Sequence, residues 1–302
     1  MFGNNNIKYI IISPVRNEAK NIERTIKAVI SQTIKPLRWV IVDDGSEDLT
    51  PMIVERYTSQ NSWMQLLRLP DRGYYDLMEG GEIKAFLRGY GTISGLDYEY
   101  LVKLDGDISF GETYFEDLFT EFSKNRKLGI ASGFCYFYEG EKLIGERCFK
   151  KHVRGAARVY RKECLEKIGE PIANLGWDAI DVYKARMFGW ETSSFEKIKM
   201  IHHVKTWTKG GIIHGKIRAG RMEYLMGTHP LFLTAKIVRE VFRRPFLIGC
   251  VALTLGYLRS FLKKEKHVVD PKLMCYIRRE QLDRIRPKPL SIALGKIHKP
   301  ME

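Results

Sequence analysis

The chain has 302 residues, 44% of them hydrophobic, and a formal net charge of +14. That size and apolar content can build a real core, which excludes a disordered or low-complexity chain. Five scattered cysteines (Cys135, Cys148, Cys164, Cys250, Cys275) contain no C-x-x-C pair, so they suggest neither a disulfide framework nor a zinc ribbon, and a reducing cytoplasm fits.

The start, M-F-G-N-N-N-I-K-Y-I-I-I-S, lacks a basic region followed by a long apolar core, and its apolar run at 8–13 is expected to be a strand rather than a signal peptide. Pro14-Val15-Arg16-Asn17-Glu18 follows, then Ile22, Ile26, Val29 and Ile30 at helical spacing. In this β-loop-α unit, Arg16 and Asn17 stand near a helix N-terminus, where free N–H groups and a cation favour a phosphate. Asn17 can equally serve as a helix cap, with Glu18 favourable in the first turn.

A second strand at 37–44 ends in Asp43-Asp44-Gly45-Ser46, followed by a helix that begins near Pro51. An acidic turn at a strand's carboxyl edge can accept hydrogen bonds from a ribose or base, or can simply be a turn. A third strand is expected at 63–69 and a helix at 82–92, with Lys84 and Arg88 one turn apart.

The fourth strand, 101–107, runs into Asp105-Gly106-Asp107. Two carboxylates there offer hard oxygen ligands to Mg²⁺ or Mn²⁺, which can hold a diphosphate, and the glycine lets backbone and phosphate approach. Asp-Gly-Asp is also a common surface turn. Further strands are expected at 130–138 and 154–160, a helix at 161–168, and a helix from Trp177 capped at Gly189. Asp178 and Asp181 lie three apart near that helix's start, so either can be a general base, or Asp178 a cap and Asp181 an ion-pair partner. An edge strand at 198–204 brings His202 and His203, as metal or phosphate ligands or merely a polar strand end. Arg218-Ala219-Gly220-Arg221 reads as basic and flexible.

S-P-V-R-N-E at 13–18, V-I-V-D-D-G-S at 40–46, K-L-D-G-D at 103–107 and G-W-D-A-I-D at 176–181 stand in register. In that order and spacing the sequence resembles family 2 glycosyltransferases of the GT-A fold, of the kind that builds cell-surface polysaccharide, over about residues 7–209. The resemblance implies an α/β fold with a Rossmann-like mixed sheet flanked by helices, a nucleotide-sugar donor, a glycan or polyprenyl-linked acceptor, and Mg²⁺ or Mn²⁺. It places the loop from Pro14 through Arg16, Asn17 and Glu18 beside the nucleotide, with Asp43 near the base and Asp44, Gly45 and Ser46 adjoining. Asp105 falls near ribose and sugar, Asp107 on the metal, and His202 or His203 on metal or diphosphate. Asp178 matches the acceptor-activating base; Trp177 stands where the family usually has Glu, so Asp181 remains an alternative. The family's N-x-G-x-x-x-A-x-N segment is replaced by Gly80–Gly91 with Lys84 and Arg88.

The last stretch, 230–302, holds 16 Lys and Arg against 6 Asp and Glu, a local net of +10. Residues 231–242 form an amphipathic pattern with Leu231, Ala235, Val238, Val241 and Phe242 on one face and Lys236, Arg239, Glu240 and Arg243 on the other. Phe246–Leu258 is an uncharged run of 13 residues, short of the roughly 18 to 20 that cross a bilayer, and is expected to be an interfacial or re-entrant hairpin. Residues 271–286 read as a final helix. Two domains are thus expected, 1–229 for transfer and 230–302 for membrane association at the cytoplasmic face, with no nucleic acid as partner. A sugar-phosphate nucleotidyltransferase would carry a Gly-rich loop after the first strand, which S-P-V-R-N-E lacks; a non-catalytic nucleotide-binding scaffold is the remaining alternative.

Overall fold

The structure, a computed structural model, describes residues 7–71, 80–146, 152–204, 211–242 and 246–286. It divides into two compact units, Met1–Lys209 and Gly210–Glu302.

The first unit is a nine-stranded mixed sheet flanked by helices. Strands β1 (Tyr9–Val15), β2 (Arg38–Asp44), β3 (Met64–Leu69) and β4 (Tyr100–Leu104) run parallel in the order β3-β2-β1-β4. Beyond β4 come β8 (Ala157–Arg161), antiparallel to it, then β6 (Leu128–Glu139), β9 (Glu191–His202) and the short β5 (Ile108–Phe110); β7 (Lys142–Gly145) pairs with β6. The connecting helices are α1 (Ile22–Ile30), α2 (Thr50–Thr58), α3 (Gly81–Gly91), α4 (Tyr114–Lys124), α5 (Lys162–Ile168) and α6 (Trp177–Met187).

Alternate residues of β1 explain the layers. Tyr9 and Ile11 enter one core with Ile22 and Ile26 of α1 and Phe115 and Phe119 of α4. Ile10 and Ile12 point to the opposite face, against Ile83 and Phe86 of α3 and Val182 of α6. Because both faces are covered, the strand is a continuous apolar run instead of an alternating one. Truncating Phe119 to Ala would cost about 3–5 kcal/mol, the usual penalty for a large aromatic cavity. Parallel β1, β2 and β4 all deliver their carboxyl ends to one edge, where the acidic loops emerge.

Three expectations need correction here. The strand at 198–204 is longer and starts at Glu191, and it lies between β6 and β5, not at an edge; its inward residues include Thr192 and Ser194, whose polarity hides the strand. The strand expected from Arg154 begins at Ala157. Helix α4 adds an element between 108 and 129 that the pattern above does not include, although Tyr114, Phe115, Leu118, Phe119 and Phe122 bury one face.

The second unit consists of α7 (Gly211–Leu225), α8 (Pro230–Val241), α9 (Ile248–Leu262) and α10 (Pro271–Ile285). The Arg218–Arg221 cluster is helical, not flexible, because α7 packs tightly on α9. A Cβ on Gly220 would stand 1.9 Å from the Leu253 carbonyl oxygen, and one on Gly256 2.0 Å from that of Ile217. This packing groups residues 211–225 with the second compact unit. Phe246–Leu258 is no hairpin either: from Ile248 onward its residues lie in one helix, α9. Asp270 caps α10, its Oδ1 accepting from the N–H groups of Lys272 and Leu273 at 2.9 Å each.

Candidate active site

The first two loops brace each other through the residues singled out in the sequence. Asn17 adopts φ 54° and accepts from the Glu47 N–H at 2.9 Å, while its own N–H donates to Ser46 Oγ at 2.9 Å. Ser46 N–H donates to Asp43 Oδ1 at 3.2 Å, and the Glu18 N–H to Thr50 Oγ1 at 2.8 Å. Arg16 donates to the Asp44 carbonyl at 2.7 Å and to Asp71 Oδ1 at 3.3 Å. Pro14 is the second-last residue of β1, paired with Val42 of β2. Gly45 has φ 73°, and a Cβ there would meet Asp71 Cα at 2.7 Å, so this turn requires glycine. Asn17 therefore ties two loops together instead of capping a helix.

The third loop joins them at Gly106, where a Cβ would meet Val15 Cγ1 at 2.9 Å and Glu18 Cγ at 3.3 Å. The glycine is needed for loop packing, in addition to any approach of a phosphate.

Asp107 and His202 come together because β5 lies against the end of β9, with Ile108 in register with His202. His202 Nε2 is 3.1 Å from Asp107 Oδ2. One ligand atom each from Asp105, Asp107 and His202 falls within 4.8 Å of the others. Burial disfavours a charged His202, but hydrogen bonds to Asp107 and Cys135 and the charges of Asp107 and Asp105 outweigh it and raise its pKa to about 10. His203 turns away: its Nε2 pairs with Ser109 Oγ at 2.7 Å, outside that cluster, and burial lowers its pKa.

Asp105 is held from beneath by Lys103. This lysine is buried on β4, and its Nζ binds both Asp105 and Glu82 of α3. Burial alone would lower its pKa, but the two carboxylates raise it. Burial pushes Asp105 up to about 7 despite Lys103, with Glu82 and Asp107 adding repulsion. Lys84, by contrast, is exposed on α3; Glu82, two residues away and so on the opposite side of the helix, is the residue that reaches Lys103.

Lys103 also connects this cluster to the start of α6. Its Nζ lies 5.3 Å from the Trp177 ring centroid, and the Arg158 guanidinium lies 5.1 Å from the same ring. Gly155 makes room for that ring, since a Cβ there would meet Trp177 Cζ2 at 2.9 Å and Asp178 Cβ at 3.7 Å. A chain of contacts thus runs Asp105, Lys103, Trp177, Asp178.

The two carboxylates of α6 have different surroundings. Asp178 is part-exposed, with its Oδ2 3.8 Å from His152 Nε2, and its backbone carbonyl accepts from Arg158 at 2.9 Å. Burial works against its charge, yet His152, Arg158 and Arg154 outweigh this and hold it below the usual carboxylate range. Asp181 is fully enclosed: its Oδ2 accepts from the Tyr160 hydroxyl at 2.7 Å and lies 3.8 Å from Arg158, while its Oδ1 has no hydrogen-bond partner among the described residues. Burial raises it to about 6.

Lys103, Glu82, Arg158 and His152 were not among the residues expected from the sequence. A lone lysine within Y-L-V-K-L is the signal that was available, because a cation inside a buried strand requires a carboxylate partner.

Glycosyl transferase family 2, as a family profile, matches residues 10–225. The chain belongs to this family. The family 2 chain is similar to the poly-beta-1,6-N-acetyl-D-glucosamine synthase of Staphylococcus epidermidis, 23% identical over 291 residues, which span 86% of this chain and 66% of the synthase. It is also similar to glycosyltransferase AglE of Haloferax volcanii, 27% identical over 209 residues that cover 59% of this chain and 67% of AglE. The chain thus spans just under two thirds of the length of the synthase. Among solved structures, a mannosyltransferase, PcManGT from Pyrobaculum calidifontis in complex with GDP-Man and Mn²⁺, superposes with a TM-score of 0.54 at 16% identity, over 95% of this chain and 78% of that one. S. aureus TarS 1-349 superposes with a TM-score of 0.51 at 14% identity, over 85% and 72%. At such identities the likeness speaks for the fold alone, and that fold is GT-A. This family 2 chain therefore has the fold that its four motifs led one to expect.

Proposed function

We propose that the chain is a metal-dependent, inverting glycosyltransferase. It moves a sugar from a nucleotide-diphospho-sugar to a hydroxyl of a glycan acceptor in polysaccharide or glycolipid synthesis, the acceptor being lipid-linked at the cytoplasmic face of the membrane. The observation that carries this reading is the meeting of Asp105, Asp107 and His202 within 4.8 Å, linked through Lys103 and Trp177 to Asp178. The similar proteins, among them a polysaccharide synthase and a mannosyltransferase complexed with GDP-Man and Mn²⁺, support the substrate class and the ion.

Two carboxylates and an imidazole, part-buried and convergent, form a donor set that suits Mg²⁺ or Mn²⁺. Such an ion, when bound, supplies positive charge against the departing diphosphate. Asp107 and His202 would hold it, and Lys103 fixes Asp105 in the same loop. The paired loops at 14–18 and 43–46 form the rim beside the nucleotide. Asp178 takes the proton of the acceptor hydroxyl: it is ionised at neutral pH, part-exposed, and backed by His152. Asp181, enclosed by Tyr160 and Arg158, positions α6 and is not the base. One base opposite one leaving group gives single displacement and inversion.

A panel of nucleotide sugars, assayed for hydrolysis and transfer with Mg²⁺, Mn²⁺ or EDTA, tests this. Metal-dependent turnover of one donor, with inverted product stereochemistry, is expected. Turnover of no donor, or retention of the anomeric configuration, would refute it.

A further inference from the structure

The second unit buries ion pairs between its helices and leaves a set of large apolar side chains exposed. On α8, Glu240 is buried and ion-paired with Lys216, and Lys236 binds buried Glu223, which also accepts from the Thr228 hydroxyl at 2.6 Å. The face of α8 expected to meet water is thus partly internal, while Leu231, Val238 and Phe242 are exposed, Phe242 by 76%. On α9 the buried residues Leu253 and Gly256 face α7. Its other side exposes Ile248, Val251, Leu255, Leu258 and Leu262, all between 44% and 77%. Their spacing of three and four residues draws one stripe along the helix. It is too large a run of exposed aliphatic side chains to be incidental.

We propose that this stripe of α9 is a membrane-docking face that lies flat in the interfacial layer of an anionic bilayer leaflet. The charges select the occupant. From 241 to 264 there is no acidic residue, and the apolar stripe is bracketed by Arg243 and Arg244 before it and Arg259, Lys263 and Lys264 after it. A second copy docking here would set cations against cations in parallel and in antiparallel orientation alike. Anionic headgroups complement both ends. The 15 residues of α9 rise about 22 Å, short of the roughly 30 Å hydrocarbon core, and no helix among the described residues is long and apolar enough to cross a membrane. Docking along the surface satisfies both facts. The inference is independent of the transferase reading, since it needs no donor or acceptor.

The test is co-sedimentation of the full chain with phosphatidylglycerol vesicles and with phosphatidylcholine vesicles, at low and high salt. Alongside it goes the Val251→Glu/Leu255→Glu double variant, with circular dichroism to check its fold. Both positions are exposed, so the variant should fold normally. The chain is expected to bind phosphatidylglycerol at least about tenfold more tightly than phosphatidylcholine, less so at high salt, and the variant to lose at least about tenfold. No binding to phosphatidylglycerol, or equal binding by a folded variant, overturns the proposal. So does a dimer of the chain, with no vesicle binding, that the variant abolishes. Donor hydrolysis, measured in parallel without vesicles, reports on the catalytic reading separately.

Discussion

His202 Nε2 sits 3.1 Å from Asp107 Oδ2, although 95 positions separate the two residues. The strand pairing of β5 with β9 creates this contact, and it sets a ring nitrogen and a carboxylate oxygen close enough to share the proposed metal once the imidazole gives up its proton. His202→Ala and Asp107→Asn should each raise the Mn²⁺ concentration needed for half-maximal turnover by at least about tenfold, in line with the loss of one ligand. His203→Ala should leave it near the wild-type value, because that ring pairs with Ser109. A metal titration of turnover in the three variants checks this.

Asp178→Asn should lower turnover by about 10²–10⁴-fold, the usual contribution of a general base. Donor affinity, read by calorimetry with the nucleoside diphosphate, should be unchanged.

Lys103→Met would leave Glu82 and Asp105 facing one another without their shared cation. Their repulsion should displace Asp105 and weaken nucleotide affinity, as well as cost stability, since leaving buried charge unpaired costs about 3–5 kcal/mol. Lys84→Met, on the exposed side of the same helix, should change stability by no more than about 0.5 kcal/mol. Denaturant titration and nucleotide binding of the two variants separate these cases.

Asp181 gives a pH prediction. Its folded pKa of about 6 lies above the usual 3.8, so the folded state holds this proton more tightly than the unfolded chain. The associated stability is fully present below about pH 4 and is lost as pH rises through 6. Relative to Asp181→Asn, the wild-type chain should therefore lose stability across that window. Denaturation midpoints of both proteins from pH 4 to 7 measure it; parallel curves would contradict the assignment.

Much of this architecture is legible in the chain. The buried strands around Ile10, Val40 and Leu101 read as unbroken apolar runs because helices cover both faces, and the latter two run into acidic turns. Motif order singles out Asp107 and Asp178 as candidates. What local pattern cannot give is the partner across the sheet: nothing near Lys103 in sequence names Glu82 or Trp177, and nothing separates His202 from His203 until β9 takes its register. The start of β9 hid behind Thr192 and Ser194, and α8 misled because its ion pairs lie inside, where sequence periodicity assigns water.

A manganese-edge anomalous difference map of crystals grown with Mn²⁺ and a nucleoside diphosphate is the most direct measurement of the site. A single ion bound by Asp107 and His202, with the diphosphate beside it and Asp178 opening onto the same cavity, is the predicted result. An ion placed on other residues, or Asp178 opening onto a separate cavity, would contradict it.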